Sequence, residues 1–528
     1  MKSVLLAAAS AFVLALGAPA FAERVLRIDE APIGELDPAK GTDYADTVLA
    51  INVYDTLVYP KQGGPGVQPL LATDWTVDGL TYTFTLRDAK FHSGNPVTAQ
   101  DVVYSFDRLI ALGQGLSSLF AGRVASVEAV DPKTVKFTLT GPYAPFIPAL
   151  TRLSIIDSKL AMARQAEGPY GAFGDYSAAW LSENDAGSGA YTVESHNPQS
   201  ETVMAAFPGY MLPVGPNAPE KVRYRYGIEA ATVKALMGRG EHDIADLWLP
   251  AEVIKAMAAD GGVHLAPEYG ATGEYIQLNT ARPPLDDVYC RRALAYAFDY
   301  GTNLKLLQVG KDLSQGVPMS GALPSGLLGY DPSRPALKQD MVKAREELAK
   351  CKYDPKSSPL DIAWIAETPA RERVALLMQA TFSQLGFPVT VTRKPWVLVS
   401  DEVTRPETAP HAVEIAVSAV TPDPDSLLFN MFSSTVPPTW MSASHLKDAE
   451  VDALLDRGRA EMDPDKRAAI YAELNQKLTD LAPAIFSYEF TGLYTIRDGI
   501  EMTNLETPGK GYGISSFSVL FKDVAINE

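Results

Sequence analysis

The stretch that most constrains the fold is residues 273–301, near the middle of the chain, with the sequence GEYIQLNTARPPLDDVYCRRALAYAFDYG. Its alternation predicts a strand with Tyr275 and Gln277 on one face. The two consecutive prolines end that strand, because neither can donate a backbone hydrogen bond. Asp286 or Asp287 can then cap a helix. We interpret this stretch as the crossing from one lobe of the protein to another.

The length and the net charge of the chain limit the number of domains and the kinds of partner that can be expected. A chain of 528 residues is too long for one hydrophobic core, so two or three domains are expected. The formal net charge is −18, with 46 Lys plus Arg against 64 Asp plus Glu. Nucleic-acid binding needs a basic footprint, so no nucleic-acid partner is expected. Solubility explains the acidity, and attraction for a cationic ligand is the alternative.

The N-terminus indicates where the protein works. Lys2 precedes an apolar run over residues 4–16, and a small-residue cleavage site ends at Ala22. This pattern predicts a signal peptide over residues 1–22 and a mature chain that starts at Glu23. No cysteine follows the cleavage site, and no later apolar run reaches the roughly 18 residues of a membrane span. We therefore expect an exported protein that is free in the periplasm.

The chain has two cysteines, Cys290 and Cys351. In an oxidising compartment they could form one disulfide, worth roughly 4 kcal/mol by loop-closure reasoning. The alternative is two separate buried thiols, and spacing alone does not decide between them.

The pattern along the mature chain predicts two α/β lobes. A strand over 24–29 precedes an amphipathic helix within 36–59, and alternation over 81–87 predicts a half-buried antiparallel strand. Thr98 and Asp101 have capping-box spacing. Later predicted elements are a strand over 360–365, a helix over 371–385, a strand over 389–393, one helix over 448–481 and a returning strand over 484–488.

One segment carries a family resemblance. Residues 75–109, WTVDGLTYTFTLRDAKFHSGNPVTAQDVVYSFDRL, resemble the signature of the extracytoplasmic solute-binding proteins of ABC importers, in the peptide/nickel-binding family, solute-binding protein family 5. Supporting matches are residues 187–191, residues 278–299 and the turn Asp423-Pro424-Asp425. The resemblance extends from residue 36 to about residue 498.

The resemblance implies an α/β, periplasmic-binding-protein-like two-lobe fold with a hinge, of the cluster C type with an extra subdomain in the N-terminal lobe. The expected divisions are the signal peptide (1–22), the lobe I core (23–60 and 186–274), the extra subdomain (61–185), lobe II (275–487) and a return to lobe I (488–528). Such proteins close on a solute and deliver it to a membrane permease, without catalysis.

The resemblance also suggests which residues contact the solute. The expected ligand-binding residues are Tyr44, Gln277, Trp396, Ser418, Ala419, Val420, Trp440 and Tyr488. Trp440, like Trp248, could stack on a sugar or an apolar group, although an aromatic side chain belongs more often to a core. Asp423 and Asp425 are interpreted as turn and cap residues.

Val420 bears on the nature of the ligand. Peptide binders of the family place at this position an aspartate that pairs with the ligand's α-amino group, so that anchor is expected to be missing here. A charge-assisted contact worth roughly 1.5–3 kcal/mol would be absent. Glu414 compensates if it faces inward. The expected ligand is a peptide, an opine, an oligosaccharide or a glycoside.

Catalytic patterns are weak in this sequence. The six histidines show no HExxH or other metal-ligand spacing, so neither a metal nor a cofactor is expected. Residues 444–447 match SxxK without its SDN and KTG partners and are interpreted as the start of a helix. The predicted partners are a small-molecule or peptide ligand and an inner-membrane ABC permease, and the protein is expected to be a monomer. An exported α/β hydrolase is the disfavoured alternative.

Overall fold

The architecture was analysed in a computed structural model. It describes residues 23–311, 313–368, 370–507 and 510–527. The predicted signal peptide lies outside the described residues.

Strands and helices are distributed along the whole described chain. Up to the first crossing they are β1 (Val25–Asp29), α1 (Tyr44–Val53), β2 (Val58–Pro60), β3 (Val67–Pro69), β4 (Ala72–Asp78), β5 (Thr81–Leu86), α2 (Ala99–Leu112), β6 (Val124–Asp131), β7 (Thr134–Leu139), α3 (Phe146–Ala149), α4 (Ser158–Arg164), α5 (Ala178–Leu181), β8 (Tyr191–Asn197), β9 (Glu201–Ala206), β10 (Lys221–Arg225), α6 (Ala230–Gly238), β11 (Ile244–Ala245), α7 (Ala251–Asp260) and β12 (Val263–Leu278).

The remaining elements lead through the second crossing to the C-terminus. They are α8 (Val288–Ala297), α9 (Tyr300–Leu306), β13 (Gly316–Val317), α10 (Met341–Leu348), β14 (Leu360–Ile365), α11 (Ala370–Ser383), β15 (Val389–Lys394), α12 (Trp396–Glu402), β16 (Ala412–Ser418), α13 (Asp425–Phe432), α14 (Ala449–Ala460), α15 (Pro464–Leu481), β17 (Ala484–Arg497), β18 (Ile500–Met502), α16 (Thr503–Glu506) and β19 (Val524–Ile526).

One large sheet runs through the molecule. Its strand order is β15-β14-β16-β12-β17-β11-β1-β10-β9-β8, with β13 paired to β17 as an eleventh strand. We call the part built on β1 and β8–β11 lobe I, and the part built on β13–β16 with α8–α15 lobe II. Strands β12 and β17 belong to both parts and connect them. The exact lobe boundaries given above stay a prediction.

The two connecting strands contain an irregularity where the lobes meet. Strands β12 and β17 are antiparallel, and their register shifts between Tyr269 and Gly273. Within that interval Ala271 has φ +47°, a left-handed conformation that is uncommon for a residue with a side chain. A second register shift follows between Glu274 and Tyr275, so the ladder is interrupted over this short interval and the sheet can bend there.

A separate four-stranded antiparallel sheet, β4-β5-β7-β6, projects from lobe I. Tyr82, Phe84 and Leu86 point into its core, as the alternation predicted. Helix α2 covers this sheet, and its Thr98 and Asp101 form the predicted capping box. Strands β6 and β7 form an antiparallel pair on one side of this sheet.

Three local predictions need correction. Helix α1 is not amphipathic, because it is buried on most sides within lobe I. The single helix over 448–481 is two helices, since Asp463 caps a new helix whose first residue is Pro464. Residues 444–447 form a turn and a loop rather than a helix start, and helix α14 begins at Ala449 after its cap Asp448.

Cys290 and Cys351 form a disulfide, with their Cα atoms 5.1 Å apart. This bond decides between the two alternatives that the sequence left open. It connects helix α8 to the segment that follows helix α10, and both lie in lobe II. No helix within the described ranges combines the length and the apolar character that crossing a membrane requires.

Candidate ligand-binding cleft

The carboxyl ends of the parallel strands in the two lobes face each other. In lobe I, β1 runs parallel to β10 and β11, and in lobe II, β14 runs parallel to β15 and β16. Ligands of open α/β sheets bind outside the carboxyl ends of such strands. The segments that follow these strands in one lobe contact those of the other lobe, as Arg373 does with Glu252 at 2.6 Å. The candidate site is this cleft between the lobes.

An aromatic group forms the lobe I side of the cleft. Tyr44, the first residue of α1, lies edge-on to Trp248 with ring centroids 6.0 Å apart. Trp248 follows β11 and stacks on Phe490 of β17, with centroids 4.7 Å apart and the planes 10° from parallel. Trp248 keeps 39% of its surface exposed, which leaves area for a solute. Tyr44 and Trp248 thus lie together in lobe I, and contact of either ring with a solute stays a prediction.

Buried carboxyl groups lie beneath these rings. The Tyr44 hydroxyl donates to Glu268 at 3.0 Å, and the Ser516 amide donates to the other Glu268 oxygen at 2.9 Å. Burial raises the pKa of Glu268 to about 7. Burial and the neighbouring Asp246 charge raise the pKa of Glu30 well above its ordinary value. Desolvation favours the neutral acids here.

The segment after β16 connects the two lobes. The Ser418 hydroxyl is 2.7 Å from that of Thr272, and the Ala419 amide donates to the Ala271 carbonyl at 3.2 Å, beside the bulge of β12. The Val420 carbonyl accepts a hydrogen bond from the Arg152 side chain of lobe I. Residues Ser418, Ala419 and Val420 thus meet the hinge at one end and lobe I at the other.

Trp396 and Trp440 lie together in lobe II. Their rings meet edge-to-face with centroids 5.5 Å apart, and the Trp396 amide donates to Glu367 at 2.9 Å. Both rings are partly buried against the apolar core beneath β16. Trp396 follows β15, so it stands at the carboxyl edge of the lobe II sheet.

Gln277 lies away from the Ser418–Val420 segment. Gln277 pairs with Val413 at the start of β16, whereas Thr272 pairs with Ser418 at its end. Five residues of strand separate these levels, or roughly 17 Å. The Gln277 side chain accepts from the Ser444 amide at 3.0 Å.

Tyr488 and Glu414 belong to a buried group on the α11 side of the sheet. Arg371 pairs with Glu274 at 3.0 Å in this group, and a cavity of about 90 Å³ adjoins Tyr488. Neither Glu414 carboxylate oxygen has a hydrogen-bond partner among the described residues. Burial, reinforced by the Glu274 charge, raises the pKa of Glu414 to about 8. Glu414 therefore faces Glu274 and Arg371 rather than Val420.

Asp423 and Asp425 do more than shape a turn. Asp423 accepts from the Asp425 amide at 2.9 Å, as a turn residue does, but its carboxylate also pairs with buried Arg467. Asp425 pairs with Arg459 at 2.9 Å. These two ion pairs join α13 to α14 and α15, and no local sequence spacing signals them. The structure also brings Arg152, to which no sequence pattern pointed, into contact with the Val420 carbonyl.

The sequence and the structure both have known counterparts. The model of the bacterial extracellular solute-binding proteins, family 5 middle region, matches residues 66–438. The probable D,D-dipeptide-binding periplasmic protein DdpA of Escherichia coli K12 is 30% identical over 468 residues, which is 86% of each chain. The chain belongs to this family. The dipeptide-binding protein of E. coli K12 is 26% identical, with 89% of each chain aligned.

Solved structures of the family have the same fold. The Helicobacter pylori ABC transporter-associated periplasmic binding protein DppA, in complex with the peptide STSA, superposes with a TM-score of 0.78 at 22% identity, over 96% of this chain and 98% of DppA. AgaA of A. tumefaciens R10, in complex with agropinic acid, gives 0.74 at 22% identity over 96% and 99%. This family 5 protein is thus a solute-binding component of an ABC importer with the predicted two-lobe fold, and no finding favours the hydrolase alternative.

Proposed function

We propose that this protein captures a peptide or an opine-like solute in the cleft between its lobes and presents the closed complex to an inner-membrane permease. The observation that carries the proposal is the contact between the two lobes, where Arg373 of α11 pairs with Glu252 of α7 and the Arg152 side chain donates to the Val420 carbonyl. The bulge around Ala271 supplies the hinge for closure.

The contact surface in this proposal has an aromatic side and a backbone side. Tyr44, Trp396 and Trp440 offer ring faces and edges, and residues 418–420 offer backbone groups near the hinge. We propose that Gln277 and Tyr488 stabilise the lobe II half of the sheet. The names of the relatives, which refer to D,D-dipeptides and dipeptides, support a ligand of that size.

The remaining parts of the proposal concern setting and chemistry. The protein works in the periplasm as a monomer after removal of residues 1–22, because an apolar run and a small-residue cleavage site precede Glu23. It binds no nucleic acid, since acidic residues outnumber basic ones by 64 to 46. It carries out no catalysis, and closure alone commits the solute to transport.

Thermal unfolding and small-angle scattering of the mature protein test the proposal together. The panel consists of dipeptides, N-acetylated dipeptides, opines and oligosaccharides. A ligand at about 100 times its Kd adds about 2.7 kcal/mol to the free energy of unfolding, which raises Tm by a few degrees. The expected result is a rise in Tm accompanied by a smaller radius of gyration. A rise in Tm with an unchanged scattering curve would contradict capture by closure.

A further inference from the structure

A cavity of lobe II lies away from the cleft and has a volume of about 640 Å³. Ala484 and Phe486 of β17 line it, and Ala484 is the strand partner of Gln277. That level of the sheet is roughly 17 Å from Thr272, which lies beside the hinge. Cavities of several hundred Å³ have the size that small-molecule ligands occupy. This space is therefore a candidate for a second binding site.

The cavity adjoins a strand that is the edge of the lobe II half-sheet at this level. Strand β13 pairs with β17 only through Gly316 and Val317, opposite Phe490 and Glu489. In the described part of the chain, no strand pairs with residues 484–487 on the side opposite β12. Helices α8, α9, α10 and α15 and the segment 320–338 enclose the space instead. The residues expected to contact the solute in the cleft are not in this lining.

Aromatic rings form one wall of the cavity. Tyr296 of α8, Tyr300 of α9 and Phe486 of β17 contribute them. The Tyr300 hydroxyl donates to the Ala295 carbonyl at 3.1 Å, so its polar atom is already bonded within the fold. Leu337 adds an aliphatic side chain. The apolar part of a ligand, an aromatic ring above all, would pack against this wall.

Two cations on the opposite segment lack a carboxylate. Among the described residues, Arg334 and Lys338 have no ion-pair partner, and Lys338 is exposed at the cavity. The Arg334 Nε donates to the Ser320 carbonyl, and its Nη1 donates to the Gln476 side chain at 2.8 Å. Both acceptors are neutral, and Nη2 keeps its donors for another group. Lys343 adds positive charge, since its Nζ stands 4.8 Å from the centroid of the Tyr296 ring.

The acids near the cavity are engaged elsewhere or exposed. Glu347 accepts from Lys350 at 2.6 Å through one oxygen, and its other oxygen is 3.7 Å from Arg292. Asp480 is exposed to water, which screens its charge. Asp331, three residues before Arg334, is exposed and lies outside the lining. With Arg292 assigned to Glu347, Arg334 and Lys338 outnumber Asp480, so the cavity favours an anion.

A buried hydroxyl group in the lining also lacks a partner. Ser320 is 5% exposed, and its Oγ makes no hydrogen bond to any residue that the structure describes. Buried polar atoms are nearly always hydrogen-bonded, to protein or to another molecule. Because Ser320 lines the cavity and its carbonyl already holds Arg334, its hydroxyl is placed to bond an occupant beside that guanidinium.

From this geometry we infer that the lobe II cavity binds a small aromatic carboxylate. Arg334 and Lys338 supply its counter-charges, and the rings of Tyr296, Tyr300 and Phe486 receive its aromatic body. The inference goes beyond the proposed function, which concerns the cleft. Because every wall of the cavity belongs to lobe II, its occupation requires no closure of the lobes.

The test uses three probes that separate charge from ring. They are 2-naphthoate, the neutral 2-naphthamide with the same ring, and acetate with the same charge and no ring, at matched ionic strength. The proteins are the wild type, Arg334→Gln, Lys338→Gln and Ala295→Phe, which fills part of the cavity from α8. The control Lys305→Gln removes an exposed lysine of α9 that is outside the lining. Calorimetry gives Kd, and small-angle scattering reports closure.

We expect the wild type to bind 2-naphthoate at least about tenfold more tightly than 2-naphthamide or acetate, because the site needs both charge and ring. Arg334→Gln should weaken 2-naphthoate binding about tenfold. Lys338→Gln should weaken it about threefold, since its ammonium is exposed. Ala295→Phe should weaken it by occupying the space, and Lys305→Gln should bind as the wild type does. The scattering curve should not change.

Four results would overturn the inference. They are no detectable binding of 2-naphthoate, equal binding of 2-naphthoate and 2-naphthamide, a smaller radius of gyration with 2-naphthoate, which would indicate capture in the cleft, and a Kd that Ala295→Phe and Lys338→Gln each change by less than about twofold. The Tm of each variant without probe checks its folding, and Lys338→Gln, at an exposed position, carries the test if another variant unfolds. Closure with a cleft solute is measured separately, so the proposed function stands or falls independently.

Discussion

Arg108 and Arg152 line the same small cavity of about 10 Å³ in lobe I, yet their surroundings differ. Arg108 donates to both oxygens of Asp37, and its Nε donates to the Tyr176 carbonyl at 2.9 Å. Among the described residues, Arg152 contacts neutral oxygens and an aromatic ring. The first arginine has a carboxylate counter-ion there, and the second has none.

The difference separates two uses of an arginine inside the fold. A guanidinium with its own carboxylate stabilises a fixed arrangement, and removing either partner leaves a costly unpaired charge. A guanidinium without a carboxylate leaves part of its hydrogen-bonding capacity and its whole charge available. Arg108 therefore belongs to the architecture of lobe I, whereas Arg152 joins lobe I to the Val420 segment of lobe II. The predictions below change one side of this comparison at a time.

Removing the counter-ion of Arg108 should have the largest effect. Asp37→Ala leaves the guanidinium buried and unpaired, which should lower the free energy of unfolding by about 3–5 kcal/mol. Urea unfolding of the mature protein measures the change. The matched control is Lys40→Ala, since Lys40 stands 4.0 Å from Asp37 with a partly exposed side chain and should matter by less than about 1 kcal/mol. Equal effects of the two substitutions would contradict the comparison.

The same comparison can be made for an acid, since Glu414 is a buried carboxyl group without its own counter-ion. The pKa of Glu414 is raised to about 8 by burial, so the folded protein holds a proton that the unfolded chain loses near pH 4.5. Stability should therefore fall as pH rises between about 4.5 and 8, by up to about 5 kcal/mol, and then level off. Unfolding followed from about pH 5 to pH 8.5 measures this slope.

Glu414→Gln removes the titrating group and should flatten that slope. Asp29, Asp55, Glu268 and Asp425 also have raised pKa values, so part of the slope should persist. A slope that is identical in the wild type and Glu414→Gln would show that Glu414 is ionised in the folded protein at neutral pH.

Supplying Arg152 with an internal counter-ion should make it resemble Arg108. Thr47→Asp puts a carboxylate where the Thr47 hydroxyl now accepts from Nη1 at 3.0 Å. We expect the protein to gain about 1–2 kcal/mol of stability, measured by urea unfolding. Thr47→Asn is the matched control without charge and should not gain it. Equal stability of the two variants would show that a carboxylate at position 47 does not pair with Arg152.

The smallest effect should come from an exposed arginine pair. Arg223 of β10 makes a bidentate contact with Glu201 of β9 at 2.8 Å, but its side chain is 47% exposed. Water and salt weaken such a pair, so Glu201→Gln should change the free energy of unfolding by less than about 1 kcal/mol. Urea unfolding at low and high salt measures it. A loss of stability as large as that caused by Asp37→Ala would mean that burial does not determine how much such ion pairs contribute to stability.

Local patterns predicted much of the fold. The alternation around Phe84 and the spacing of Thr98 and Asp101 specify structure within a few residues, and each appears as expected. The stretch 273–301 was also interpreted correctly as a strand followed by a capped helix, with Asp287 as the cap. The missed break before α15 had a local signal too, because proline is favoured at the first position of a helix.

Pairings between distant residues were beyond the sequence. Arg152 and Val420 are separated by 268 positions, and Arg467 and Asp423 by 44. Such contacts depend on how lobes and helices pack, which periodicity does not encode. The same holds for Cys290 and Cys351, whose distance decided between a bond and two thiols. Glu414 shows the limit most clearly, since no local pattern indicated toward which face of the sheet its side chain points.

The paired connecting strands also have a consequence for how this protein could be rebuilt. Gly273 of β12 and Glu489 of β17 are direct partners next to the bulge, so the chain enters lobe II and leaves it one strand spacing apart, about 5 Å. Lobe II is thus one uninterrupted excursion from a two-strand stem. It could be exchanged as a cassette between relatives through two adjacent seams, combining the recognition surface of one protein with the lobe I of another.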